Sequence, residues 1–182
     1  MMGKDDYAIV LDFLPNGYPF DNRPMHRKTA VVQAIGKVSF AILELVPRKD
    51  VGLQSGEEVY IGEAKRDKIH HVLGRIPLSK LTQTARGELE FILKDMIDKN
   101  QQKYIDFFNK SGAISTRMHQ LELLPGIGKK HMWEIIEKRN EKPFENFDDI
   151  RNRVKLLPSP EKSILKRILA EMNEEDKYKL FT

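Results

Sequence analysis

The sequence predicts an α+β fold: an N-terminal β-rich part that curls into a barrel-like sheet, followed by an all-helical part. Three observations carry this. Up to about residue 76, β-branched and apolar residues come in short runs bounded by turn residues. From Pro77 the apolar positions switch to helical spacing. Within the helical part, one stretch overlays itself at an offset of 33 residues. The expected organisation is a β domain over 1–76, a helical connector over 77–116 and a helical repeat domain over 117–182.

The β part is read strand by strand. Tyr7–Leu14 is an apolar run ending in the turn signal Pro15-Asn16-Gly17. Val31–Ile35 and Val38–Val46 flank Gly36-Lys37, expected as a hairpin in which glycine supplies the positive φ. Glu57–Gly62 is a short strand, and Lys68–Leu73 is a weaker one. Short strands with few helix signals fit a small barrel or curled sheet of OB type.

The helices follow. Ser79 is the expected N-cap of a helix running through Leu81, Ala85, Leu89, Ile92, Leu93, Met96 and Ile97. A second carries Tyr104, Ile105, Phe107 and Phe108 and stops at Ser111-Gly112. Ser115 is expected to cap a short helix through Met118 and Leu121. Lys130–Arg139 is a helix with Met132, Trp133, Ile135 and Ile136 apolar, and Trp133 is assigned to the core. A short helix spans Phe147–Arg153. The last starts at Ser159-Pro160, a cap followed by the residue suited to the first helical position. Residues 174–182 are expected to fray.

Bulk composition narrows the function classes. The net charge is +4, with 11 Lys/Arg against 10 Asp/Glu in residues 1–76 and 20 against 17 in the rest. Neither part is a basic tail, so binding to a polyanion has to be local and geometric. The chain has no cysteine, which excludes disulfides, thiolate metal sites and cysteine nucleophiles. No apolar run approaches the roughly 20 residues of a membrane span. Met1 to Asp6 is polar and acidic, unlike a signal peptide. The expected location is cytoplasmic, with no membrane partner.

The 33-residue repeat places Leu121 on Val154, Leu123 on Leu156, Leu124 on Leu157, Pro125 on Pro158, Met132 on Leu165, Ile135 on Ile168 and Ile136 on Leu169. Two units of helix, hairpin and helix, joined by the Phe147–Arg153 helix, would give this spacing and share one core. The copies differ where chemistry matters: Gly126, Ile127 and Gly128 become Ser159, Pro160 and Glu161. Proline has no N–H to donate, and glutamate repels phosphate. One hairpin is therefore poised to bind and the other serves architecture.

In the first hairpin, Leu124-Pro125-Gly126-Ile127-Gly128-Lys129 leads straight into a helix. The first turn of that helix has free N–H groups at the positive end of the helix dipole, a ready place for phosphate. Gly126 supplies φ and Gly128 clearance, Ile127 anchors the loop in the core, and Lys129 and Lys130 add charge beside it.

The stretch Leu121-x-x-Leu124-Pro125-Gly126-Ile127-Gly128 followed by a helix resembles the helix–hairpin–helix motif of DNA-repair and recombination proteins. The whole chain, through its Leu-Glu-Leu-Leu-Pro-Gly-Ile-Gly-Lys-Lys stretch and its order of parts, resembles a largely uncharacterised, mostly archaeal family of unknown function. The motif implies that the amides of Gly126, Gly128, Lys130 and His131 face phosphate oxygens. It also implies that the carbonyls of Glu122, Leu124 and Ile127 could hold a monovalent cation, K⁺ or Na⁺; no other cofactor is expected. Met132 and Trp133 depart from the small alanine frequent in that helix.

Elsewhere, Tyr18, Phe20, Arg23, His26, Arg27 and Lys28 interleave aromatic and basic residues in one loop, suited to stacking bases and meeting phosphates, or simply solvated. His70 and His71 should face opposite sides of a strand and share no metal. Asp148-Asp149 follows Asn146 at a helix start and reads as capping rather than as a Mg²⁺-binding nuclease pair. No catalytic constellation is present, and no phosphate loop or nucleophile elbow. The expectation is a non-enzymatic, weakly sequence-specific nucleic-acid-binding protein, RNA favoured over DNA. The alternatives are a scaffold docking on a ribosomal or transcription protein and, less favoured, a repair nuclease component.

Overall fold

The computed structural model describes residues 4–182; the first half of the polar Met1–Asp6 segment lies outside them. The architecture is mixed α+β. Five strands, β1 (Tyr7–Leu14), β2 (Val31–Gly36), β3 (Ile42–Pro47), β4 (Glu58–Tyr60) and β5 (Ile69–Arg75), form one antiparallel sheet in the order β4-β1-β2-β3-β5. It is a curled half-barrel rather than a closed one. Register shifts in β1 and β3 bend it. Five α-helices follow: α1 (Gln83–Lys99), α2 (Gln101–Lys110), α3 (Lys129–Glu141), α4 (Phe147–Arg153) and α5 (Pro160–Met172). Among the described residues, no helix is long and apolar enough to cross a membrane.

The chain forms two compact units, one up to Ile92 together with Phe181 and Thr182, the other Leu93–Leu180. In the first, Val10, Val32, Ala34, Leu45, Val59 and Ile69 form the core of the sheet. β2 is central and buried along its whole length. Its one polar member, Gln33, is satisfied by donating to the Lys80 carbonyl at 2.9 Å and accepting from the Thr82 amide at 2.9 Å. Thr82 is also the true cap of α1: its hydroxyl accepts from the Ala85 amide and donates to Asp12. Ser79, the expected cap, sits instead in a 3₁₀ turn at Leu78–Lys80.

The β2–β3 hairpin differs from expectation. β3 begins at Ile42, and the positive φ belongs to Phe40. Gly36 is required for a different reason, because a Cβ there would collide with the Asp5 carboxylate. That carboxylate accepts from the Val38 and Ser39 amides at 2.7 and 3.0 Å and from the Ser39 hydroxyl, holding the turn shut. Likewise the His70 and His71 rings meet, with Nδ1 atoms 2.8 Å apart, because the register slips at His70, between the pairs Val46–His71 and Pro47–Ile69, and breaks the alternation of faces. No group of three or more metal-ligating side chains exists among the described residues.

In the second unit, α3 and α5 each bury the repeat's apolar positions, Met132 and Ile135 in one, Leu165 and Ile168 in the other. Each follows a short helical element, a 3₁₀ turn at Gln120–Leu123 before α3 and α4 before α5. At the 33-residue offset the 3₁₀ turn falls on residues 153–156, so α4 precedes the second copy, and it packs on α5. Trp133 is 63% exposed and not core. It follows the buried Met132 by one residue, about 100° further round the helix, which turns it to solvent. Residues 174–182 are not frayed. Arg167, buried on α5, pairs with Glu171 at 2.9 Å and Asp176 at 3.2 Å and donates to the Tyr178 carbonyl. The Glu171 carboxylate accepts from the Leu180 amide, and Phe181 is buried.

Candidate nucleic-acid interface

The first hairpin is built from its flanks inward. No helix covers 115–119, where the Ser115 hydroxyl accepts from the Arg117 amide and the Ser115 amide donates to the Met118 carbonyl. The 3₁₀ turn is capped by His119, whose Nδ1 accepts from the Leu121 amide at 3.1 Å, while the Glu122 carboxylate accepts from the His119 amide at 2.8 Å. This reciprocal box fixes the entry to the hairpin. Partial burial and the nearby Arg139 guanidinium hold the His119 ring below the usual histidine range. Lys129 pairs with Glu122 at 3.0 Å and donates to the Arg117 carbonyl, so its charge is engaged within the protein. Lys130 is exposed and forms no ion pair among the described residues.

At the tip, Ile127 is 5% exposed and its amide donates to the Leu124 carbonyl at 3.1 Å, closing the turn. The two glycines do different work. Gly126 has φ +85°, and a Cβ there would lie 2.8 Å from Pro158 Cγ. Its clearance therefore serves the second hairpin, which presses against the first. Gly128 has ordinary extended backbone, with nothing within 4 Å of where its Cβ would be. It is the N-cap of α3 and offers no side-chain cap, in contrast to Asn146 on α4 and Ser159 on α5. The amides of Gly128, Lys129, Lys130 and His131 donate to no acceptor among the described residues. Four N–H groups thus stand without protein acceptors at the positive end of a 13-residue helix.

The hairpin backbone is also held from behind, by residues that the sequence reading did not single out. Ser163 on α5 donates to the Pro125 carbonyl at 2.8 Å, and Arg167 reaches the Leu123 carbonyl at 3.5 Å. The available signal was Ser163, Arg167 and Glu171, spaced four residues apart among the apolar positions of α5. The carbonyls of Glu122 and Ile127 accept no hydrogen bond among the described residues. The Leu124 carbonyl keeps one lone pair beyond the Ile127 amide. Each of the three oxygens therefore retains acceptor capacity.

The loop candidates belong to the other compact unit. Tyr18 donates to Glu44 at 2.6 Å, and Phe20 stacks on it. Arg23 grips Asp21 through Nε and Nη2 at 2.7–3.1 Å and holds that carboxyl down at about 2, so its fork is already filled. Arg27 lies exposed in a 3₁₀ turn at Met25–Arg27 and Lys28 follows it, neither in an ion pair among the described residues. In the helical unit, the Asp148 and Asp149 carboxylates pair with Arg151 and Arg153, and Asn146 caps the Asp149 amide.

A curled antiparallel half-barrel with five helices, of which α2 and α3 lack a side-chain N-cap, defines a two-unit α+β protein. The chain belongs to the family described as a protein of unknown function, DUF655, whose profile matches residues 4–182. It is 42% identical over 179 residues to the uncharacterized protein MJ0038 of Methanocaldococcus jannaschii, covering 97% of this chain and 79% of that one. Its structure is similar to the crystal structure of Af1531 from Archaeoglobus fulgidus. The TM-score is 0.92 at 47% identity, over 98% of this chain and 99% of that one.

Proposed function

We propose that this protein binds nucleic acid without enzymatic chemistry, through the backbone amides at the start of α3. The observation that carries the reading is the uncapped turn at Gly128–His131, four donors without acceptors beside a glycine that leaves the approach open. In this reading the segment 117–182 is a tandem helix–hairpin–helix domain with one binding hairpin. Residues 1–76 form an OB-like domain with a second contact surface, and 77–116 connect them. Contacts made by backbone amides read phosphate rather than base edges, so sequence preference is weak. RNA is favoured over DNA, because a half-open barrel suits single or structured strands.

The test is Gly128→Val, with binding to labelled RNA and DNA read by anisotropy at two salt concentrations. Its backbone conformation accommodates valine, so the protein stays folded while the branched side chain covers the amides. Binding should weaken at least tenfold; unchanged affinity in the folded variant refutes the hairpin. Gly126→Val is a poor test, since it would disturb packing against Pro158.

A second reading, docking on a ribosomal or transcription protein, draws on Trp133 and Leu156, which are 63% and 88% exposed on the helical unit. Wild-type protein that binds no nucleic-acid probe favours that reading.

A further inference from the structure

The β1–β2 connection carries two aromatic rings that serve no core. Phe20 lies flat on Tyr18, ring centroids 5.0 Å apart and planes within 10°, and Phe20 is 76% exposed. A phenyl ring held open to water is unfavourable unless something covers it. Its support is rigid. The Tyr18 hydroxyl donates to Glu44 and accepts from Gln33 Nε2 at 3.2 Å, and Gln33 is fully buried and tied to Lys80 and Thr82. Burial and the Glu44 hydrogen bond push the Tyr18 phenol up to about 12, so it stays a neutral donor.

The surroundings offer shape rather than net charge. Tyr18 also lines a cavity of about 360 Å³, with Asp21, Arg23, Glu44 and His71 on its walls. Arg23 and Asp21 neutralise each other, and Glu44, in no ion pair among the described residues, repels phosphate while keeping Oε1 to accept N–H groups. A flat, exposed ring stacked on Tyr18, whose own ring lines a cavity with a carboxylate acceptor, suits a nucleobase. Arg27 and Lys28, a few residues on and unpaired, suit the flanking phosphates.

We propose that the Tyr18–Phe20 stack is a platform for an unpaired nucleobase, making the N-terminal unit a reader of single strands. In a duplex both faces of each base are covered by its neighbours, so the platform takes only bases that are splayed out. This rests on the reading of the partner as nucleic acid, but not on the α3 hairpin.

The experiment compares the full chain's affinity for a labelled single-stranded oligonucleotide with that for an equally long abasic strand. Stacking on one aromatic ring is worth about a 5- to 150-fold change in affinity. Wild type should prefer the base-bearing strand by that factor. Phe20→Ala should remove the preference and leave abasic binding unchanged, while Phe20→Tyr should retain it. Gly128→Val should weaken both strands alike. Equal wild-type affinity for the two strands overturns the platform and leaves the hairpin standing. A base preference lost in Phe20→Ala, with the affinities for both strands unchanged in Gly128→Val, keeps the platform and refutes the hairpin. Binding to neither strand overturns both.

Discussion

Replacing Gly126 with alanine introduces two separable costs at one position. The first is backbone: φ is +85°, a conformation that costs an L side chain about 1–2 kcal/mol. The second is steric: the new methyl would sit 2.8 Å from Pro158 Cγ, nearer than carbon atoms pack, and such overpacking costs about 1–3 kcal/mol. The sum is about 2–5 kcal/mol, or a fall in melting temperature of roughly 5–15 °C for a chain of this size. Trp133, the only tryptophan, lies on α3 in the same unit, so urea unfolding followed by its fluorescence reads the right part of the molecule. Pro158→Ala removes the opposing ring and should relieve only the steric share. A double-mutant cycle should therefore show a coupling of about 1–3 kcal/mol, with the backbone cost remaining. Gly126→Ala within about 0.5 kcal/mol of wild type, or costs that simply add, would refute the packing of one hairpin on the other.

Further outcomes follow from the same geometry. Gly128→Val, at an extended N-cap with free space around it, should cost no more than about 1 kcal/mol of stability by the same urea assay. Lys130→Ala should lower the salt slope of log affinity by about 0.9 on duplex DNA or about 0.7 on a single strand, and Lys129→Ala by less because Glu122 holds Lys129; equal slopes for the two would contradict that pairing. The His119 ring has a folded pKa below its ordinary 6.5, so the unfolded chain takes up the proton first. The capping box is then fully stabilising above about pH 6.5 and is lost as pH falls below it. An NMR titration of the His119 ring should give a midpoint under 6.5, and one above would reverse the sign. Arg167→Ala strips the buried Glu171 carboxylate of that guanidinium and should cost about 3–5 kcal/mol, with faster amide exchange over residues 174–182.

What was legible in the sequence was what periodicity controls. β1, β2 and β5 stand close to their apolar runs, and the buried positions of α3 and α5 match at the 33-residue offset. Ile127 between its glycines pointed inward, as an isolated apolar residue in a tight turn must. The departures come from tertiary partners that local pattern does not encode. Thr82 displaced Ser79 as a cap because Asp12 and Gln33, distant in sequence, engage it. Gly36 looked like a turn glycine, yet the close approach of Asp5 requires it. Trp133 is apolar, but its angular position on α3 faces water. The C-terminal segment reads as loose because its letters are polar, and it is ordered because Arg167 gathers its carbonyls and carboxylates. For the candidate site, the order of the letters indicated Gly128, whereas the engagement of Lys129 by Glu122 emerges only in three dimensions.

The contact of Pro158 with Gly126 bears on how this hairpin could be moved. A loop whose shape is set by its own letters can be transplanted into a new scaffold as a cassette. Here the tip leans on the other copy's proline, and α5 lends a serine to the carbonyl of Pro125. A graft of residues 119–141 alone would carry every group that the proposed function aims at phosphate and leave behind the wall that shapes them. The smallest portable form of the hairpin is therefore the pair, with the copy that lacks the glycines serving as a mould for the one that has them.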